Sequence, residues 1–294
     1  MTQPSTNKLD WELDFFSRQI IESDGKKRWD LLITSTELIN GEEPFRFQKI
    51  CPSNEVNSIW LTNALREALK NSKRQGLGLP KQIKFWRASM KSMIKKAAEN
   101  LDLEIKISRR TYSLYNWIDF LEKEVYPKEK GFVQGVLAPN SISINSSYVP
   151  QPLPEAIRGD ALSISDISIE ELRFSNNWPI EFKGLIPIPS EISDQNMITG
   201  LRLFSKDRSL ALSAWLGGLE PVKLLINKNQ LILEAGEQER WLVTDLSEKS
   251  AMELQKKFEV SNNESAGLQF ISVQATPYIE KFDGFWLMKD FDSF

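Results

Sequence analysis

Two apolar runs separated by a tight-turn dipeptide constrain this chain most. Trp11, Leu13 and Phe15 alternate with Glu12 and Asp14, residues 29–34 form a second apolar run, and Asp24-Gly25 lies between them. Strand side chains alternate between faces, and Asp-Gly readily adopts the positive φ of a two-residue hairpin turn. The spacing predicts a β-hairpin, and residues 45–50, closed by Pro52, add a third short strand.

Helices then alternate with strands. Asn57 is a candidate N-cap, and Ile59, Trp60, Ala64, Leu65, Ala68 and Leu69 recur at helical spacing until Gly76 and Gly78. Residues 81–88 read as a strand, Met90, Met93, Ile94, Ala97 and Ala98 as one face of a second helix, and residues 103–108 as a fifth strand. Leu114, Trp117, Ile118 and Leu121 fall at i, i+3, i+4 and i+7, which predicts a third helix. The resulting order, β-β-β-α-β-α-β-α, is ribonuclease H-like and requires a mixed sheet covered by helices.

With 294 residues the chain is long enough for two domains. Residues 1–125 form the expected N-terminal domain and 126–155 the linker, where Pro139, Pro150, Pro152 and Pro154 flank a polar run at 140–148. Residues 156–294 are expected to form a mainly antiparallel α+β domain. Its strand candidates lie at 198–204, 210–216, 222–226, 231–234, 241–243, 268–274 and 285–288, with one helix at 247–258. Trp215-Leu216-Gly217-Gly218-Leu219 reads as a Gly-Gly turn after an apolar strand, and if exposed as a docking patch.

Several chemistries are excluded by composition. The chain has no histidine, which removes Ser-His-Asp and Cys-His nucleophiles and His-ligated metals. Its one cysteine, Cys51, forms no internal disulfide and reads as a small apolar residue at a strand end. No uninterrupted window of about 18 apolar residues is present. The first ten residues resemble neither a signal nor a transit peptide, so a cytoplasmic protein without membrane insertion is expected.

Charge is unevenly distributed. Residues 60–112 hold thirteen Lys or Arg against four acids, a balance of +9, so the rest of a chain whose total is −3 carries −12. Such a basic segment can neutralise phosphates with release of counterions. Lys73 and Arg74 at the first helix end, Lys84, Arg87, Lys91 and Lys95, and Arg109 and Arg110 after the fifth strand are candidate phosphate ligands, the two adjacent arginines being hardest to bury. Tyr112 and Tyr115 are candidates for stacking unpaired bases, whereas Trp86 and Trp117 read as core. A competing reading is a metal-dependent nuclease. Asp14, Glu67 and Asp119 occupy positions where a ribonuclease H-like nuclease keeps its acids, but the strand that should supply a fourth ends in Trp86-Arg87-Ala88-Ser89. A third is a protein-interaction or assembly module that meets RNA only incidentally.

Six segments carry a resemblance that spans nearly the whole chain in order. They are WELDFFSRQIIESDGKKRWDLLI (11–33), FWRASM (85–90), SRRTYSLYNWI (108–118), GLRLFSKDRSLALSAWLGGLE (200–220), GLQFISVQ (267–274) and GFWLM (284–288). Together they resemble the Tab-two-like family, RNA-binding proteins of chloroplasts and cyanobacteria that serve translation of photosystem I reaction-centre mRNA. The resemblance implies binding to the 5′ untranslated region of such a message, single-stranded RNA and further proteins as partners, and neither cofactor nor catalysis. The expected absence of a transit peptide points to a cyanobacterial member.

Overall fold

In a computed structural model, residues 9–36, 43–134, 149–278 and 281–290 are described. The chain divides into two compact α+β units, Met1–Ile142 and Ser143–Phe294. The polar run at 140–148 lies outside the described residues.

The first unit runs β1 (Trp11–Ile21), β2 (Lys27–Ser35), β3 (Arg46–Cys51), α1 (Ser58–Arg74), β4 (Ile83–Phe85), α2 (Lys91–Glu99), β5 (Ile105–Ile107) and α3 (Tyr112–Phe120), the element order expected from the sequence. Its sheet has the order β3-β2-β1-β4-β5. The first three strands pair antiparallel, and β4 and β5 join parallel to β1. Gly25, at φ 77°, sits in the β1–β2 turn, where a side chain would be strained.

Alternation sends Trp11, Leu13 and Phe15 to one face, where they pack with Leu61, Leu65 and Ala68 of α1 and Ile94 and Ala97 of α2. The other face is not left to solvent. Ile20 and Leu32 pack there beneath Leu114, Trp117 and Ile118 of α3, with Leu121 and Tyr126 beyond its end. Glu12 and Asp14 are therefore buried although their strand reads as half polar. Of the residues expected to link the domains, Tyr126 lies in this core, and Ile21 N–H donates to the Gly131 carbonyl at 2.8 Å.

The second unit contains β6 (Gln151–Pro152), β7 (Ala161–Ser168), α4 (Ile169–Arg173), β8 (Phe182–Gly184), β9 (Met197–Phe204), α5 (Ser209–Leu219), β10 (Pro221–Asn227), β11 (Gln230–Ala235), β12 (Glu239–Asp245), α6 (Glu248–Glu264), β13 (Leu268–Gln274) and β14 (Gly284–Lys289). Two sheets result, β10-β11-β12-β6 and β7-β9-β13-β14-β8. The first is antiparallel except where β6 joins β12, and the second is mixed, with parallel pairs β9–β13 and β14–β8. Gly200 of β9 permits close approach: a Cβ there would lie 2.3 Å from the Phe270 ring on β13.

The strand expected at 210–216 and the Gly-Gly turn after it are instead the helix α5. Ser209, Leu212, Ser213 and Leu216 are its buried residues, at i, i+3, i+4 and i+7. Ser213 Oγ donates back to the Ser209 carbonyl at 2.8 Å, and Glu220, at φ 56°, ends the helix before Pro221. A nearly continuous apolar run fits either period, and packing against Trp286 and Phe182 in the same core selects the helix. Trp215 is partly buried, its ring edge-on to Trp241 at 5.5 Å, and so does not stand out as a docking patch.

Candidate nucleic-acid interface

Each basic side chain of the first unit takes its place from the element that carries it. Asn57 caps α1, its side chain accepting from the N–H groups of Ile59 and Trp60 at 3.0 and 2.9 Å. Such a cap contributes about 1 kcal/mol. With Leu61, Ala64, Leu65 and Ala68 turned to the sheet, Arg66, Lys70, Lys73 and Arg74 emerge on the exposed side. On α2 the same division buries Ile94, Ala97 and Ala98 and exposes Lys91, Lys95 and Lys96. The helices pack side by side, and Asn100 Nδ2 donates to Thr62 Oγ1 at 3.3 Å.

The outer surface of this helix pair is strongly positive. α1 and α2 carry seven Lys or Arg against Glu67 and Glu99, a balance of +5. Glu67 is ion-paired to Lys49, and Glu99 lies 3.8 Å from Lys95. Lys73 and Arg74 also sit at the negative end of the α1 dipole, which favours their charge. The arrangement suits a polyanion backbone crossing two adjacent helices.

The expected ligands therefore fall into two groups. Lys73, Arg74, Lys91 and Lys95 share the exposed α1–α2 surface. Arg87, Arg109, Arg110 and Tyr112 are buried, at 8, 3, 9 and 7% exposure, contrary to the expectation that the adjacent arginines resist burial. Arg87 is held inside by Asp14, and the Arg110 guanidinium lies 5.3 Å from the Tyr112 ring centre. Lys84 is largely enclosed and bound to Asp10 at 2.7 Å, and Tyr115 is half-buried on α3, across the sheet from α1 and α2. Arg66, Lys70 and Lys96 were not among the expected ligands, although 66, 70 and 74 repeat every four residues on one helix face.

A second charged cluster lies inside. Asp14 receives Arg87 Nε at 2.6 Å and Arg18 Nη2 at 2.9 Å, and the Arg87 guanidinium lies 3.8 Å from the Phe16 ring centre. Asp30 accepts from the Tyr126 hydroxyl at 2.8 Å and from Gln48 Nε2 at 3.1 Å. Burial pushes the Asp30 carboxyl above its ordinary value, against the opposing pull of Arg18 and Tyr126. Burial also disfavours the Arg18 charge, but Asp14, Tyr126 and Asp30 outweigh it and hold that pKa above the usual arginine value. The contacts of Asp14 with Arg18 and Arg87 are structural ion pairs.

The acids of the nuclease reading do not converge. Asp14 is enclosed by two guanidinium groups, Glu67 of α1 is paired with Lys49 of β3, and Asp119 pairs with Lys123 at 3.1 Å. Among the described residues no three His, Cys, Asp or Glu side chains are grouped to hold a metal ion. Cys51 closes β3 with its thiol buried, and burial raises the pKa to about 12.

Comparison with known proteins identifies the family. A profile described as the RNA-binding protein Tab2/Atab2 N terminal matches residues 10–120, and one described as the RNA-binding protein Tab2/Atab2, C-terminal domain, matches residues 140–289. The chain belongs to the Tab2-like family. Two relatives named "Protein TAB2 homolog, chloroplastic" align along the same length. The Zea mays protein is 27% identical over 295 residues, covering 96% of this chain and 71% of the relative. The Arabidopsis thaliana protein is 29% identical over 296 residues, covering 96% and 74%. No solved structure matches the chain with significance. In this Tab2-like chain, no helix among the described residues is long and apolar enough to cross a membrane.

Proposed function

We propose that this Tab2-like protein binds single-stranded RNA across the outer face of α1 and α2 and supports translation of a photosystem I reaction-centre mRNA by holding its 5′ untranslated region. The observation that carries this reading is the exposed row Arg66, Lys70, Lys73, Arg74, Lys91, Lys95 and Lys96 in a member of an RNA-binding family. Phosphate contacts from such a surface position the RNA, while base contacts set its selectivity. Tyr115, half-buried on α3, is a secondary stacking candidate on the opposite side of the sheet. The role is non-catalytic and needs no cofactor, and further proteins of a translation or assembly complex act with it.

The test is binding of the purified protein to a photosystem I mRNA leader and to a scrambled RNA of equal length, across roughly 50–200 mM salt. Leader-selective binding that falls steeply with salt is expected. Equal weak binding to both RNAs would sink selective recognition by this chain and favour a role through protein partners alone.

A further inference from the structure

The three sheets have six edges among the described residues, and five are short or blocked. β5 and β8 have three residues each, and β6 has two, one of them Pro152. β3 carries Arg46 and Lys49. β10 begins at Pro221, sets Lys223 against Asp290 at 3.0 Å, and donates Leu224 N–H to Gln269 Oε1 at 2.8 Å. β7 is the exception, with eight residues, ALSISDIS, in unbroken register with β9 and no proline, lysine or arginine. Long edges without such protection recruit another strand.

The geometry says which groups that strand would meet. Ile169 N–H donates to the Asn196 carbonyl at 2.9 Å at the end of the β7–β9 ladder. The two-residue period of an antiparallel pair then turns the backbone groups of Leu162, Ile164 and Asp166 away from β9. Beside this edge, between the sheet and α6, lies an open groove of about 390 Å³ lined in part by Asp166, Met197, Thr199, Lys257 and Val260. Three apolar side chains stand exposed here, Leu162 at 40%, Met197 at 43% and Val260 at 48%. Leu162 lies near the start of β7, whereas Met197 is paired with Ser168 at its end.

We propose that β7 pairs antiparallel with β7 of a second copy, about a two-fold axis at Ile164. This register sets Leu162 of each copy opposite Asp166 of the other, at the groove lined by Met197 and Val260. A projection at one end of the edge thus meets a recess at the other, the self-complementarity that a two-fold contact requires. Asp166 never faces its own counterpart, and its charge is matched by Lys257 at 2.8 Å. Pairing joins two five-stranded sheets into one of ten strands.

Sedimentation velocity of the full chain at rising concentration tests this, with a growing dimer fraction expected. Leu162→Pro removes a backbone donor that points away from β9, a change edge strands tolerate, and Leu162→Lys brings a charge to the contact. Both variants should remain monomeric where the parent dimerises, with unchanged circular dichroism, while Arg46→Ala on β3 leaves the dimer intact. If Leu162→Pro disturbs the fold, Leu162→Lys decides. A parent that is monomeric throughout overturns the proposal and leaves the edge to a strand of a different protein. Dimers that survive Leu162→Lys overturn it as well.

Discussion

Arg87 Nε, two residues beyond β4, lies 2.6 Å from the Asp14 carboxylate on β1, and both side chains are buried. The acid that a nuclease would need open to metal and water is instead closed by two guanidinium groups. Removing the shared acid leaves two buried guanidinium groups without it, at a cost of about 3–5 kcal/mol. Asp14→Ala should lower stability to urea by that order, and Arg87→Ala by less, because Asp14 keeps its bond from Arg18 at 2.9 Å. Cleavage of RNA that depends on a divalent metal and is lost in Asp14→Asn without loss of stability would contradict this assignment.

The two groups of basic residues should respond differently to substitution. Lys73→Ala, Arg74→Ala, Lys91→Ala and Lys95→Ala combined should weaken RNA binding and reduce the salt slope by up to about 3, since each phosphate contact with a single strand contributes about 0.7. Thermal stability should change little, because these side chains are exposed. Arg109→Ala with Arg110→Ala should destabilise the first unit first. Fluorescence titration beside thermal melts separates the outcomes, and an unchanged salt slope in the fourfold variant would remove the α1–α2 surface from the RNA reading.

Asp30 makes stability depend on pH with a definite sign. Its carboxyl is held above the ordinary value by burial, so the folded state binds the proton more tightly than the unfolded chain. That contribution is full below the unfolded pKa of about 3.9 and is lost as pH rises through the folded value. Asp30→Asn removes the titration, so denaturation midpoints measured from acid to neutral pH should fall less over this window than in the parent.

Cys51 should be silent towards thiol reagents. With its pKa at about 12, almost no thiolate exists at pH 8, and the side chain is buried besides. Labelling with a chromogenic disulfide should be slow in buffer and rapid in denaturant. Fast labelling of the native protein would show that the end of β3 opens.

Much of the first unit was legible because its periodicities are unambiguous. Trp11, Leu13 and Phe15 mark one strand face, and the spacing of Leu114, Trp117 and Ile118 marks a helix. α5 was not legible, since Leu210, Leu212 and Leu216 around Ala211 and Ala214 fit both periods until a neighbouring core chooses. The exposed lysines of α1 and α2 could be read from helical spacing. The burial of Arg109 and Arg110 could not, because charge ordinarily signals the surface.

The division of positive charge between the interior and the α1–α2 surface also bears on how such a protein can diversify. Arg87 is tied to the sheet through Asp14, so its replacement tests the fold before it tests any ligand. Lys73, Arg74 and Lys91 stand on helix faces whose packing is done by other residues. A lineage can therefore exchange the outer residues, and with them how strongly this surface attracts a polyanion, while the scaffold stays the same.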